Sequence, residues 1–369
     1  MDKILSLVWF KIYPAYFGGQ KGIALFNRYL SEHFEVDCLC SKNNVQSKDA
    51  GCNILPELPT SKWQILSPVA FWKIKRQLSK TDYKWLIIEQ PFYGLLISRL
   101  KKKNTKLIVH MHNIEALRFK SFNYKTWRWL LLYEKLVLPK ADLVLFKTGR
   151  ELSWAMEHYK LHKHRCYLLP YGVEPADNNP TITQRSRDFL KVKHNIPSGT
   201  SVLLFTGTLD YQPNAEAVEW IYQKLEPALC LTSLKFKILI CGRNQFASYA
   251  YLKELKSDNI VQVGFVDEID LYFRGADAFI NPVRNIHGVQ TKIFDALNYN
   301  LNIVCFQNAV AELPAYLEPK LFASPIDNVN TFVEMVSKGV ESQTDTPMQF
   351  YKDYSWKNIV ANFAVHLQH

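Results

Sequence analysis

The chain has 369 residues, 48% of them hydrophobic and 21% charged, an ordinary globular mixture with room for two α/β domains, which excludes a disordered chain. Its net charge of +11 is unevenly placed: residues 1–170 hold 28 Lys and Arg against 13 Asp and Glu, and the remainder 17 against 21, so the first half suits an anionic leaflet, a phosphorylated acceptor or nucleic acid. Seven cysteines without a C-x-x-C pair argue for reduced thiols in a cytoplasmic protein, and no apolar run reaches membrane-spanning length.

The opening MDKILSLVWFKIYP has too short an apolar core for a signal peptide and reads as the first strand of a sheet. From there, short apolar runs alternate with amphipathic segments. Strands are predicted near 3–9, 34–40, 84–89, 106–111, 142–147 and 165–169, and helices near 20–32, 67–80, 91–103, 125–139 and 149–159. Such alternation implies a parallel, doubly wound sheet. Cys38 and Cys40 share one strand face, where buried structural thiols are favoured over half of a metal site that has no second pair.

After Leu169 the stretch PYGVEPADNNPTITQRSRDF, rich in Pro, Asn and charge, reads as an interdomain linker. A second series follows, with strands near 201–205, 236–241, 260–264, 278–281, 302–306 and 321–323. Helices are predicted near 214–230, 246–256, 268–275, 289–299, 308–318 and 328–341. In the closing YSWKNIVANFAVHL, residues Trp356, Ile359, Val360, Phe363 and Leu367 fall at helical spacing. The division expected is residues 1–175, completed by a C-terminal helix over 352–369, and residues 176–351: two Rossmann-like domains facing an interdomain cleft.

Chemistry is concentrated where strands end, the side on which open α/β sheets bind ligands. In GVQTKIFDAL, Gly288 permits close backbone approach, the amides of Val289 and Gln290 open a helix, and Lys292 and Asp295 share its face. That pattern could hold the diphosphate and ribose of a nucleotide sugar, or could be a solvated surface pair. Gly18 and Gly19 could converge amides on a phosphate or simply turn the chain. His110 and His112 share a strand face, as ordinary histidines or as a ligand pair lacking a third partner. Gly207 and Thr208 in FTGTLDYQPN follow a strand, and Arg243 in ICGRNQ is a phosphate contact or a surface arginine.

Taken in order, GGQ, HNIE, PYGVE, FTGTLDYQPN, GFVDE, GVQTKIFDALNYNLNIVCF and a tryptophan-bearing terminal helix resemble glycosyltransferase family 4, retaining enzymes of GT-B fold, over essentially the whole chain. The resemblance implies a bacterial cell-surface polysaccharide or glycolipid enzyme. Such an enzyme moves a sugar from a UDP- or GDP-sugar to a saccharide or lipid-linked acceptor with retention, using no metal and no cofactor beyond that co-substrate. It implies that Gly18 and Gly19 approach the donor diphosphate or the acceptor, that His112 lines the transfer site, and that Gly207 and Thr208 border the phosphates. It further implies that Phe265 and Val266 meet the base, that Val289 and Gln290 reach the diphosphate, and that Asp295 binds ribose. Two departures stand out: His287 occupies the place of a sugar-binding glutamate, and the basic pair many members carry after the first strand of the second domain is absent from GTLDYQPN. These leave Lys292 and Arg243 to neutralise phosphate, and keep open a non-catalytic nucleotide- or saccharide-binding partner subunit of the same fold.

The segment Trp127 to Leu138, WRWLLLYEKLVL, suits a surface touching anionic lipid, or a core helix with basic flanks, so the expected location is cytoplasmic and peripheral to the membrane. A nucleic-acid partner is not expected, because the basic residues lack interleaved base-stacking motifs, and no G-x-G-x-x-G supports a dinucleotide oxidoreductase.

Overall fold

The computed structural model describes residues 1–15, 18–61, 67–285 and 288–368. The chain forms two compact units. The first contains Met1–Gly172, the short piece at Gly288 and Val289, and Tyr354–His369, and the second contains most of what lies between.

In the first unit, seven parallel strands are β1 (Lys3–Val8), β2 (Glu35–Ser41), β3 (Asn53–Leu58), β4 (Trp85–Glu89), β5 (Lys106–His110), β6 (Leu143–Phe146) and β7 (Cys166–Leu168), ordered β3-β2-β1-β4-β5-β6-β7. The central strands are nearly continuous apolar runs because helices cover both faces: β1 and β4 pair Ile4 with Trp85 and Ser6 with Ile87. One face packs Leu5, Leu7, Leu86, Ile88 and Val109 into a core. The terminal helix Trp356–Gln368 belongs to this unit, setting Phe363 5.9 Å from Phe26 and Trp356 5.8 Å from Tyr171, ring to ring.

The second unit holds β8 (Ser201–Thr206), β9 (Phe236–Cys241), β10 (Ile260–Gly264), β11 (Ala278–Asn281), β12 (Asn302–Phe306) and β13 (Leu321–Ser324), ordered β10-β9-β8-β11-β12-β13 and again parallel. In each sheet the order reverses beside the unit's first strand, between β1 and β4 and between β8 and β11. Loops at the carboxyl ends of those strands diverge to opposite faces and leave a crevice for ligand.

Several local expectations are corrected. The presumed linker contains a helix, Pro180–Lys193: Asn179 Oδ1 accepts from the Thr181 amide at 2.9 Å, and Pro180 sits at the first helical position, where its missing N–H costs nothing. The expected helix 214–230 is interrupted by a π segment at Ile221–Leu225, as befits Pro227 just beyond, which cannot donate to the preceding turn. The stretches expected as helices near 246–256 and 308–318 form only 3₁₀ turns, Ala247–Glu254, Gln307–Ala309 and Ala315–Lys320, the last with Pro314 just before it and Pro319 inside it. The expected helix 91–103 shortens to Gly94–Leu100 behind a 3₁₀ turn at Pro91–Tyr93. Strand β3 and the helix Glu115–Ser121 were not anticipated.

The helix Trp127–Val137 divides its apolar residues between two faces. Leu130, Leu131, Tyr133 and Val137 pack on the core, while Trp129 (74% exposed), Leu132 (54%) and Leu136 (58%) face outward. Among the described residues no helix is long and apolar enough to cross a membrane.

Candidate active site

In the second unit the crevice begins where three strand ends are zipped together. Gly207 donates its amide to the Cys241 carbonyl at 3.0 Å, Gly242 to the Gly264 carbonyl at 2.8 Å, and Leu209 to the Arg243 carbonyl at 2.8 Å. This brings the chain at Gly242 so near Gly207 that a Cβ would lie 1.8 Å from the Gly207 carbonyl oxygen, so no other residue fits. Asn214, in the first turn of the helix Gln212–Trp220, closes the β8 loop by donating from Nδ2 to the Thr208 carbonyl at 2.9 Å.

The other side of Asn214 holds the cation. Its Oδ1 accepts from Lys292 Nζ at 2.9 Å, and the ammonium lies 4.4 Å from the centre of the Phe205 ring. Lys292 is the second residue of the helix Thr291–Asn298, and burial pushes its pKa down to about 7. A cation held by one neutral amide and one aromatic face retains most of its attraction for an incoming anion. Gln290 is the non-helical residue that precedes this helix, and no side chain caps it; the Ile293 amide donates to the Gln290 carbonyl at 2.9 Å, and the amides before it are the ones that could meet a ligand. Asp295 is half-buried one turn on, close enough to Tyr299 to help burial raise that phenol's pKa.

Beside the zipped loops lies a cavity of about 730 Å³ lined by Leu209, Arg243, Asn244, Gln245, Gly264 and Phe265, among others. Phe265 is 52% exposed, and Val266 is half-buried next to it. Arg243 lies 3.9 Å through Nε from Asp210 Oδ2, whose other oxygen accepts from the Gln245 and Phe246 amides at 2.8 and 2.7 Å. A fixed carboxylate therefore shares the charge of Arg243, and Lys292 is the stronger phosphate candidate of the two.

In the first unit, His112 sits on a built platform. Its Nε2 is 2.6 Å from Glu89 Oε2, and His110 Nδ1 bonds the same carboxylate, 3.2 Å from Oε1 and 2.9 Å from Oε2. Burial opposes the charge on Glu89, but the two rings overcome it and hold its carboxyl well below the usual range. Burial pushes His110 down to about 3, so its ring stays neutral, with Nε2 buried and unpartnered. The loop carrying His112 is tied from beneath by two more acids. Glu151 Oε1 accepts the Ile114 amide at 3.1 Å, and Glu134 accepts the Glu115 amide at 2.9 Å, the Ala116 amide at 3.3 Å and the Tyr159 hydroxyl at 2.6 Å. Burial raises Glu134 to about 7.

Glu89 is thus the third partner that the histidine pair lacked in the sequence. The donor atoms of Glu89, His110 and His112 lie within 4.8 Å of one another, which makes this the group among the described residues that could hold a metal ion. The carboxylate accepts from the rings and fixes the orientation of His112.

The sequence-predicted residues thus fall in two places. The second unit gathers Gly207, Thr208, Arg243, Phe265, Val266, Gln290, Lys292 and Asp295 around the ends of β8 to β10 and one helix. The first carries His112 on its platform, Gly18 and Gly19 opening the helix Gly18–Leu30, and Gly288 with Val289. Gly288 has φ +71° and a Cβ there would lie 2.0 Å from Asn113 Oδ1, so glycine is required twice over; at Gly19 a Cβ would meet nothing within 4 Å. His287 lies outside the described residues. Sequence reasoning missed Glu89 and Asn214; an acid ending the apolar run WLIIE was the available signal for the first.

Residues 18–177 match the family described as Glycosyltransferase Family 4, and residues 200–341 match Glycosyl transferases group 1. The chain belongs to glycosyltransferase family 4. Its GT-B architecture is shared with sucrose-phosphate synthase from Thermosynechococcus elongatus at TM-score 0.79 and 14% identity, over 100% of this chain and 98% of that one. Anabaena HepE, solved in complex with UDP and glucose, superposes at TM-score 0.73 and 14% identity over 100% of both chains. WaaG, a glycosyltransferase involved in lipopolysaccharide biosynthesis, does so at TM-score 0.65 and 13% identity, over 98% of this chain and 95% of that one. No curated protein sequence matches the chain. The ends of β8 to β10 are where such a fold presents loops to a ligand.

Proposed function

We propose that this glycosyltransferase moves a hexose or related sugar from a nucleoside-diphosphate donor to a saccharide or lipid-linked acceptor, with retention at the anomeric carbon, in the assembly of a surface polysaccharide or glycolipid. The observation that carries the proposal is Lys292, a depressed-pKa cation held on Asn214 at the end of β8. The diphosphate is assigned to Lys292, the Gly207–Thr208 loop and the Gln290 amide. The base is assigned to the cavity at Phe265, Val266 and Arg243, and the ribose to Asp295. HepE was solved with UDP and glucose, which makes uridine diphosphate the first nucleotide to try.

In the proposed reaction the bond from C1 of the sugar to the β-phosphate oxygen breaks as the bond from C1 to the acceptor oxygen forms on the same face. The acceptor proton passes to the leaving phosphate. Negative charge on the diphosphate grows along this path, so Lys292 and fixed N–H dipoles stabilise the transition state more than the ground state. His112, oriented by Glu89, is assigned to the donor sugar. Gly18 and Gly19 are assigned to the entry of the diphosphate or acceptor.

The acceptor side is proposed to work at an anionic membrane face. Trp129, Leu132 and Leu136 form an exposed stripe at i, i+3 and i+7, and Lys120, Lys125, Arg128 and Lys135 lie in the same segment. Calorimetric titration with UDP and GDP followed by a donor-hydrolysis assay tests the function. Binding with turnover of one donor is expected, and binding without turnover of any donor would instead favour a non-catalytic subunit.

A further inference from the structure

Two buried lysines among the described residues are treated very differently. Lys320, 1% exposed in the second unit, donates to the Asn300 carbonyl at 2.8 Å, to Asn300 Oδ1 at 3.3 Å and to the Thr344 carbonyl at 2.7 Å. That is a structural lysine, with each N–H answered. Lys147, 7% exposed in the first unit, has no hydrogen-bond acceptor among the described residues; its ammonium lies 5.5 Å from the centre of the Trp356 ring. Burial lowers its pKa to about 8, while Glu89 and Glu151 act from a distance in the opposite sense, so at pH 7 the charge is largely kept.

The position of Lys147 gives this cation a use. It follows β6 directly, on the carboxyl edge of the sheet, where β4, β5 and β6 lie side by side. Other unanswered polar groups collect on the same edge. His110 Nε2 at the end of β5 is buried without a partner, and so is Oε1 of Gln90 just past β4. Gln90 also holds φ +67°, a backbone conformation that non-glycine residues rarely adopt and that clusters at ligand sites. A buried charge left without hydrogen bonds is destabilising unless something arrives to satisfy it, and an ammonium with three free N–H donors is matched by an oxyanion with several acceptor oxygens.

We propose that Lys147 is the contact for a phosphate group carried by the acceptor, so that the acceptor is a phosphorylated sugar or a saccharide linked to a prenyl diphosphate rather than a neutral saccharide. The inference rests on the glycosyltransferase reading for the word acceptor and on Lys147 alone for the phosphate.

The test is thermal melting of the full chain, with and without saturating UDP, in the presence of glucose 6-phosphate, farnesyl diphosphate, glucose or glucuronate. Wild type, Lys147→Met, Lys147→Arg and Lys292→Met are compared. Without ligand, Lys147→Met melts at or above the wild-type temperature, because it removes a buried unbonded charge at nearly constant volume. A phosphate probe raises Tm by several degrees in wild type and in Lys292→Met, loses that effect in Lys147→Met, and keeps most of it in Lys147→Arg. Whichever of glucose 6-phosphate and farnesyl diphosphate stabilises more identifies the source of the phosphate. Unchanged phosphate shifts in Lys147→Met, equal stabilisation by glucuronate, or no shift with either phosphate would each overturn the inference. A UDP shift that persists in those cases leaves the donor reading standing. A missing UDP shift counts against the donor reading, and the phosphate arms run without UDP still decide this one.

Discussion

Lys292 Nζ donates to Asn214 Oδ1 at 2.9 Å, tying the first turn of one helix to the first turn of another at the end of β8. The contact explains how a chain without the basic pair after β8 still presents a cation there. The amide takes the place of a charged residue and fixes a lysine arriving from 78 positions further along.

Lys292→Met is expected to weaken UDP binding by about 10- to 100-fold, the range for removing one charge-assisted phosphate contact. Asn214→Ala is expected to weaken it less, since the cation survives but loses its anchor. Calorimetry on the two variants gives the comparison, and equal affinities for all three proteins would remove Lys292 from the donor site.

The pH dependence follows from the same lysine. With its pKa lowered by burial from 10.5 to about 7, the free protein discharges it as pH rises past 7, so UDP affinity is expected to fall between pH 7 and 9 by up to about tenfold per unit. Stability moves the other way. Between pH 7 and 10.5 the unfolded chain binds more protons at this site than the folded chain, so this lysine's contribution to ligand-free stability rises with pH. Both trends flatten in Lys292→Met, and a UDP affinity that stays constant from pH 7 to 9 in the wild type would contradict the assignment.

Glu89→Gln tests the platform under His112. The amide can accept from one histidine but turns a donor toward the other, so His112 loses its fixed orientation. Turnover is expected to fall by about 10- to 100-fold with UDP affinity unchanged, a loss confined to the chemical step. A Glu89→Gln variant with wild-type kcat would show that the carboxylate serves stability alone.

Gly242→Ala places a Cβ 1.8 Å from the Gly207 carbonyl oxygen, a contact with backbone that no rotamer relieves. A loss of about 1–3 kcal/mol in stability and of UDP binding is expected from denaturant unfolding and calorimetry, whereas Gly19→Ala, which meets nothing within 4 Å, is expected to be neutral in stability.

Trp129→Ser combined with Leu136→Ser is expected to reduce sedimentation with acidic-lipid vesicles by about tenfold or more and to leave donor hydrolysis in solution unchanged. Both side chains are more than half exposed, so the fold does not need them. Equal sedimentation of the wild type with neutral and acidic vesicles would defeat the lipid assignment.

How much of this was legible in the sequence depends on how local each feature is. The central strands are apolar runs such as KILSLV and SVLLFT, and their existence and order could be read directly because both faces of a parallel sheet are buried. The helix at Pro180–Lys193 was hidden by composition: Asn179 and Pro180 look like a turn, yet they are a cap and a first helical residue, and the buried Leu190 ten residues on is the sign that was missed. Strand β3 carries Pro56 and lies at the sheet edge, where a missing N–H is tolerated. Candidate residues with a local motif, such as Lys292 and Gly207, could be named from it. Glu89, Asn214 and Lys147 were not, because their roles come from tertiary partners: histidines more than 20 positions away, a lysine on another helix, and for Lys147 an absence of bonds.

The most direct test of the central claim is release of nucleoside diphosphate from a panel of UDP- and GDP-sugars by wild type and Lys292→Met. One donor is expected to be turned over by the wild type, and Lys292→Met to lose at least about 100-fold in kcat/KM, with Tm within a few degrees of wild type. Turnover of that donor at an equal rate by both proteins, or binding of UDP or GDP with no donor turned over, would contradict it.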